Sequence, residues 1–187
     1  MNSTIPHPEG LTAEDYEALP EEFCRSIEVV DGAIILPPVP RKPHQRVVRR
    51  LANAIEVAAD DRVAVDIDID LRLRDVPLLN RRPDIAVYDA SGFDDTVLRP
   101  EQCLLVVEVM SPTSMTTDQN DKPAEYAAAG ITHFWRIEDI DHEQRTMKVF
   151  RYQLDPTTHA YAPVGVDVDT LAVTDPFRLT IDLADLY

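Results

Sequence analysis

Hydrophobic positions along this chain follow two periods, and the changes from one to the other mark its elements. Leu11–Leu19 has the spacing of a short helix, with Thr12 placed to cap its N-terminus. Ser26–Val30 and Ala33–Leu36 flank Asp31-Gly32, a dipeptide that favours a two-residue hairpin turn, and Pro37-Pro38-Val39-Pro40 stops the second strand. Between His44 and Ala59, residues Val47, Val48, Leu51, Ile55 and Ala58 recur at helical spacing as one apolar stripe. Val63–Leu73 alternates instead, which predicts one strand with a buried face and a wet face carrying Asp66, Asp68 and Asp70. Two apolar runs around Asp84 and Glu108 follow as further strands. A helix is predicted from about Asp118 to Ala129, with Gly130 as its stop. Thr132–Ile137 and Met147–Tyr152 read as strands, and Phe177–Tyr187 as a strand with one helical turn. Helices and strands interleaved in this way predict an α+β fold.

At 187 residues the chain is expected to form one domain over 11–187, after a disordered tail at 1–10. No stretch approaches the roughly 20 apolar residues of a membrane span. Met1–Gly10 lacks a basic-plus-apolar signal pattern, and Cys24 and Cys103 belong to no Cys-x-x-Cys pair, so the expectation is a cytoplasmic protein with free thiols and no zinc. The net charge of −16 argues against broad, non-specific binding of nucleic acid, which needs Lys and Arg against phosphate. A nucleic-acid partner would have to meet a local basic patch or a metal-filled pocket. Arg41, Lys42, Arg46, Arg49 and Arg50 make one basic cluster, and Arg72, Arg74, Arg81 and Arg82 a second. Both are expected to be solvated faces balancing nearby acids.

Asp84 and Glu108 stand apart from this background. Each is a single carboxylate in an apolar, β-branched run, where a charge is costly unless it is paired or bound to a cation. The segment between them, about 89–102, is rich in Asp, Ser, Gly and Pro and lacks the periodicity of a crossover helix. The two strands are therefore expected to form an antiparallel hairpin, with Asp84 and Glu108 equidistant from a turn near Thr96. Two carboxylates brought together in that way suit a hard metal and suggest metal-dependent phosphodiester chemistry.

Several local patterns occur in an order that resembles a known family. They are Glu28-Val29-Val30-Asp31-Gly32-Ala33-Ile34, a histidine opening the next helix (His44), Arg82-Pro83-Asp84, and Val107-Glu108-Val109-Met110-Ser111-Pro112-Thr113-Ser114. Asp118, Lys122 and Tyr126 follow at i, i+4, i+8, then Gly130, Phe134-Trp135 and the ending Ile181–Tyr187. Over nearly its whole length the chain resembles the Uma-two family of restriction-endonuclease-like proteins in the PD-(D/E)xK superfamily. That resemblance implies a restriction-endonuclease-like core: a mixed β-sheet with an antiparallel meander, flanked by helices. It also implies a magnesium- or manganese-dependent endonuclease acting on DNA, expected as a homodimer.

The resemblance assigns roles residue by residue. Asp84 and Glu108 would bind the metal, with the Val109 carbonyl as a third ligand. Met110 stands where the wider superfamily carries a strand lysine, which implies that this lysine has migrated to the next helix as Lys122. Pro123 directly follows it, so either Lys122 is expected near that helix's N-terminus or the helix is kinked there. Glu28 would add a third acid or be an exposed strand residue. His44 would contact phosphate, support the site from outside, or have no chemical role. Asp118 would cap its helix or partner Lys122, and Tyr126 would bond a ligating carboxylate or pack in the core. Ser111 is expected to shape a turn, and His133 and His142 to be structural or exposed. The rival reading is a catalytically inactive nuclease-fold binding or regulatory protein, favoured by the acidity and the missing strand lysine.

Overall fold

A computed structural model describes residues 10–59, 61–92, 97–110, 118–141 and 146–187. Two short helices, α1 (Ala13–Glu17) and α2 (Glu21–Cys24), precede the hairpin β1 (Glu28–Val30) and β2 (Ala33–Ile35). Helix α3 (Lys42–Ala58) leads to β3 (Val63–Asp66), β4 (Leu71–Asp75), β5 (Leu78–Arg81), β6 (Ile85–Asp89) and β7 (Cys103–Met110). Helix α4 (Asp118–Ala128) is followed by β8 (His133–Asp141), β9 (Thr146–Asp155), β10 (Ala160–Val168), β11 (Thr170–Val173) and β12 (Leu179–Asp182), then a 3-10 turn at Leu183–Leu186. Among the described residues no helix is long and apolar enough to cross a membrane.

The main sheet has six strands in the order β10-β9-β8-β7-β6-β3. β3, β6 and β7 form the antiparallel meander, and β7 pairs with β8 in parallel through the α4 crossover. Alternation along β6 and β7 divides their side chains between two cores. Ile85, Val87, Leu105 and Val107 face the stripe of α3, with Val47, Val48, Leu51 and Ile55. Ala86, Tyr88 and Val106 face the other way, onto Tyr126 of α4 and Phe134. A second sheet, β2-β1-β5-β4, and the β11–β12 pair complete the fold.

Several expectations are corrected. Val63–Leu73 is not one strand. It breaks after Asp66, where Asp68 takes a left-handed backbone (φ 54°), and resumes as β4 in the other sheet. The acids there are only partly a solvated face: Asp68 is exposed, but Asp66 accepts from the Tyr88 hydroxyl, and Asp68 and Asp70 both hold Arg82. Arg72 and Arg81 are buried rather than on a wet face, and Arg72 pairs with Glu17 at 2.7 Å. Helix α2 and strands β5, β10 and β11 lie outside the elements that the sequence pattern predicts. In β10 the interruption by Pro163 and Gly165 is a bulge, and Gly165 leaves room for the Arg151 side chain. Of the tail expected over 1–10, only Gly10 is among the described residues, and it packs against Gly32.

That contact explains the hairpin turn. Asp31 and Gly32 both have positive φ (50° and 77°), as a type I′ turn requires. A Cβ on Gly32 would lie 2.7 Å from the Gly10 Cα. Gly130 ends α4 with φ 88°, and a Cβ there would meet nothing within 4 Å. Gly130→Ala is therefore expected to cost about 1 kcal/mol of backbone strain, whereas Gly32→Ala adds a backbone clash and should cost roughly 2–4 kcal/mol. Urea unfolding of both variants checks this; equal losses would show that the Gly10–Gly32 contact is not tight.

A recessed carboxylate pair beneath a basic rim

The register of the β6–β7 ladder sets the site. Ile85 faces Val107 and Ala86 faces Val106, so the next residues outward, Asp84 and Glu108, stand opposite each other where the ladder ends. Asp84 Oδ2 accepts the Val109 N–H at 2.7 Å and lies 3.1 Å from His44 Nε2, in the first turn of α3. In an extended strand one residue's N–H and C=O point to the same edge, so the Val109 carbonyl is also on the Asp84 side of β7. Glu108 Oε1 accepts from the Tyr126 hydroxyl at 2.8 Å and from Lys122 Nζ at 3.3 Å. Tyr126 thus combines core packing with a bond to the carboxylate. Among the described residues, no donor reaches Asp84 Oδ1 or Glu108 Oε2.

Lys122 does reach the pair. It lies in the second turn of α4, one residue before Pro123, so that proline is deeper in the helix than the first turn. The missing N–H of Pro123 leaves the Gln119 carbonyl without its helical donor. The ammonium is shared, 3.3 Å from Glu108 and 3.1 Å from Glu28. Glu28 is therefore a buried third acid and not an exposed strand residue. Arg81 Nη1 holds Glu28 at 2.9 Å, while its Nε and Nη2 grip Glu125 at 2.7 and 2.8 Å. Arg81 and Glu125 were missed as site residues, because arginine in a charged stretch reads as surface and their partners are 44 to 53 residues apart in sequence. The side chain of Asp118 and all of Ser111 and His142 lie outside the described residues. His133 is 3.6 Å from Asp175, away from the site.

The electrostatics follow from these contacts. Burial pushes the Glu108 carboxyl up, the charges of Asp84 and Glu28 add to this, and against the pull of Lys122 its pKa reaches about 7. Burial opposes charge on Lys122 too, but Glu108 and Glu28 hold its pKa above the ordinary range, so it stays protonated. Lys122 and Arg81 keep Glu28 below the usual carboxylate range despite burial. The bond to Asp84 and its charge raise His44 against burial. Across the connected cluster, among the described residues, Glu28, Asp84, Glu108 and Glu125 face only Arg81 and Lys122 as fixed cations.

The pair lies at the floor of a cavity of about 980 Å³. Among the described residues, eight Lys and Arg line it against four Asp and Glu, although the chain has eighteen of the first and thirty-four of the second. Arg41, Lys42, Arg46 and Arg49 are exposed on its rim, so the first basic cluster faces the site except for Arg50, which donates to the Asp185 and Tyr187 carbonyls.

A family model described as Uma2, putative restriction endonuclease, matches residues 13–184. No curated protein matches the chain. A solved structure, a putative nuclease belonging to DUF820 from Anabaena variabilis, superposes with a TM-score of 0.70 at 18% identity, covering 94% of this chain and 97% of that one. The likeness shows a shared nuclease-like fold.

The raised Glu108 pKa fixes a sign. Folding favours its protonated form, so its stabilising contribution is full below the unfolded value and is lost as pH rises toward 7. In EDTA, Glu108→Gln should match wild type at pH 5 and exceed it by about 2–3 kcal/mol at pH 8. Urea unfolding at both pH values reads the difference; a gap that does not change with pH contradicts the burial of an ionisable Glu108.

Proposed function

The chain belongs to the Uma2 family, and we propose that it is a divalent-metal-dependent nuclease that hydrolyses DNA phosphodiester bonds. One observation carries this reading: Asp84 and Glu108 face each other at the floor of a cavity whose rim bears exposed cations, in a chain of net charge −16.

Magnesium or manganese fits the donor set. Magnesium is content with one or two protein carboxylates and takes its other ligands from water and substrate phosphate. Zinc would call for three or four converging ligands, and among the described residues no such group occurs. Asp84 and Glu108 would hold the magnesium or manganese ion, each through the oxygen that no protein donor occupies, with the Val109 carbonyl as the candidate third ligand. When bound, the ion supplies positive charge against the phosphoryl oxygens and activates water.

The remaining residues have separable tasks. Val109 and His44 orient Asp84 through Oδ2, and Tyr126 orients Glu108 through Oε1. Lys122, kept protonated, acts as a fixed cation toward the anionic transition state and does not take a proton from water. Glu28 and Arg81 set where that cation sits.

Three outcomes test the reading. Wild-type protein should cleave plasmid or oligonucleotide DNA in Mg²⁺ or Mn²⁺ and not in EDTA, and Asp84→Ala should abolish cleavage. Millimolar Mg²⁺ should raise the wild-type Tm through preferential binding to the native state, and that rise should vanish in Asp84→Ala. Lys122→Met should lower turnover roughly 10²–10³-fold while the Mg²⁺-dependent rise in Tm survives. A Tm indifferent to both ions, together with no cleavage, would turn the reading to a binding protein that keeps the fold.

A further inference from the structure

Four features of the cavity bear on the form of nucleic acid that enters it, given the nuclease reading above. The first is depth. The Asp84 and Glu108 side chains are only 22% and 10% exposed, so a scissile phosphate has to be brought down to them. The second is size. A compact space of about 980 Å³ is roughly 12 Å across, no wider than the major groove alone and less than the major and minor grooves of a duplex together.

The third is the pairing of its cations. At least eight of the described arginines, Arg81 and Arg151 among them, are tied to carboxylates. Among the described residues none of Arg41, Lys42, Arg46 and Arg49 has such a partner, although acids outnumber bases almost two to one in the chain. Arg41 and Lys42 stand at the start of α3, where Arg41 provides no side-chain cap and the first turn holds no acid, and Arg46 and Arg49 follow in the next turn. Positive side chains at the positive end of a helix dipole are unfavourable unless an anion answers them. The fourth is the apolar part of the lining, Pro37, Pro38, Val39, Pro40 and Ile67, with Val39 89% and Ile67 46% exposed to solvent.

We propose that the cavity takes a single strand of nucleic acid and not an intact duplex, with phosphates along Arg41, Lys42, Arg46 and Arg49 and bases against the Pro37–Pro40 wall. A single strand offers both surfaces at once, an anionic backbone and unstacked apolar base faces, and it is thin enough to descend to the carboxylates. In a duplex the base faces are hidden, and its length would extend over the acidic surface outside the cavity.

The test measures binding and needs no cleavage. Fluorescence anisotropy is read on the Asp84→Asn protein in Mg²⁺ buffer. The probes are a labelled oligodeoxynucleotide of about 12 nucleotides and the same sequence as a blunt duplex. The single strand should bind about tenfold more tightly or better. Lys42→Glu combined with Arg46→Glu should weaken it, and Lys42→Gln with Arg46→Gln should lower the slope of log K against log salt by about 1.4, or 0.7 for each phosphate contact. Arg99→Glu, outside the cavity and paired with Asp75, should leave affinity and slope unchanged. Duplex binding as tight as the single strand, an unchanged slope, or binding of neither probe would overturn the proposal. Wild-type protein that binds the single strand without cutting it would remove the nuclease reading and leave this one standing.

Discussion

A guanidinium that is only 2% exposed persists only where its charge is matched, and Arg81 is matched on both sides. It ties three elements together: its own strand β5, β1 through Glu28, and α4 through Glu125. β1 and β5 belong to the smaller sheet, whereas α4 packs on the larger one. The Arg81 contacts therefore fix how the two sheets meet. Lys122 is one helical turn from Tyr126 and beside Glu125, so the same contacts determine how far its ammonium reaches. Without Glu28 in place, Lys122 would have one carboxylate where it now has two.

The larger sheet supplies the other half of the arrangement. β7 is antiparallel to β6 and parallel to β8, so the direction of pairing changes at the strand that carries Glu108. The chain must leave the end of β7 and return through α4 before β8 can form. That route brings Lys122 and Tyr126 back over the strand end from which Glu108 projects. A carboxylate and the cation facing it are thus placed by one connection, while Asp84 arrives from the neighbouring hairpin strand. His44 comes from the opposite core face, at the start of α3.

Much of this was legible in the sequence where the signal was local. The β6–β7 hairpin follows from two apolar runs, each with one carboxylate, around a polar turn. Helix α3 follows from its stripe, and the β1–β2 turn from Asp31-Gly32. The position of Lys122 came from a resemblance in motif order, since nothing in its own neighbourhood points to Glu108. What could not be read was non-local or locally masked. β5 is four residues long and ends in arginine. The break at Asp68 interrupts an alternation that continues through it. Arg72 and Arg81 look like surface residues until Glu17, Glu28 and Glu125 are known to be beside them. The proline and glycine of β10 suggest a loop, and only Arg151 on β9 explains why the glycine is there.

The uneven distribution of charge also governs how a polyanion approaches. At about 0.1 M salt the Debye length is roughly 10 Å, and an incoming strand senses little beyond the patch directly beneath it. Over the rim of the cavity that patch is positive. At much lower salt the same strand senses the whole molecule, whose net charge is −16, and is repelled before it can find the rim. Encounter with this protein should therefore be most productive at moderate ionic strength, unlike the rising association rates that uniformly basic proteins show as salt is removed. The acidic exterior acts as an orientation filter, sparing only those collisions that arrive over the opening.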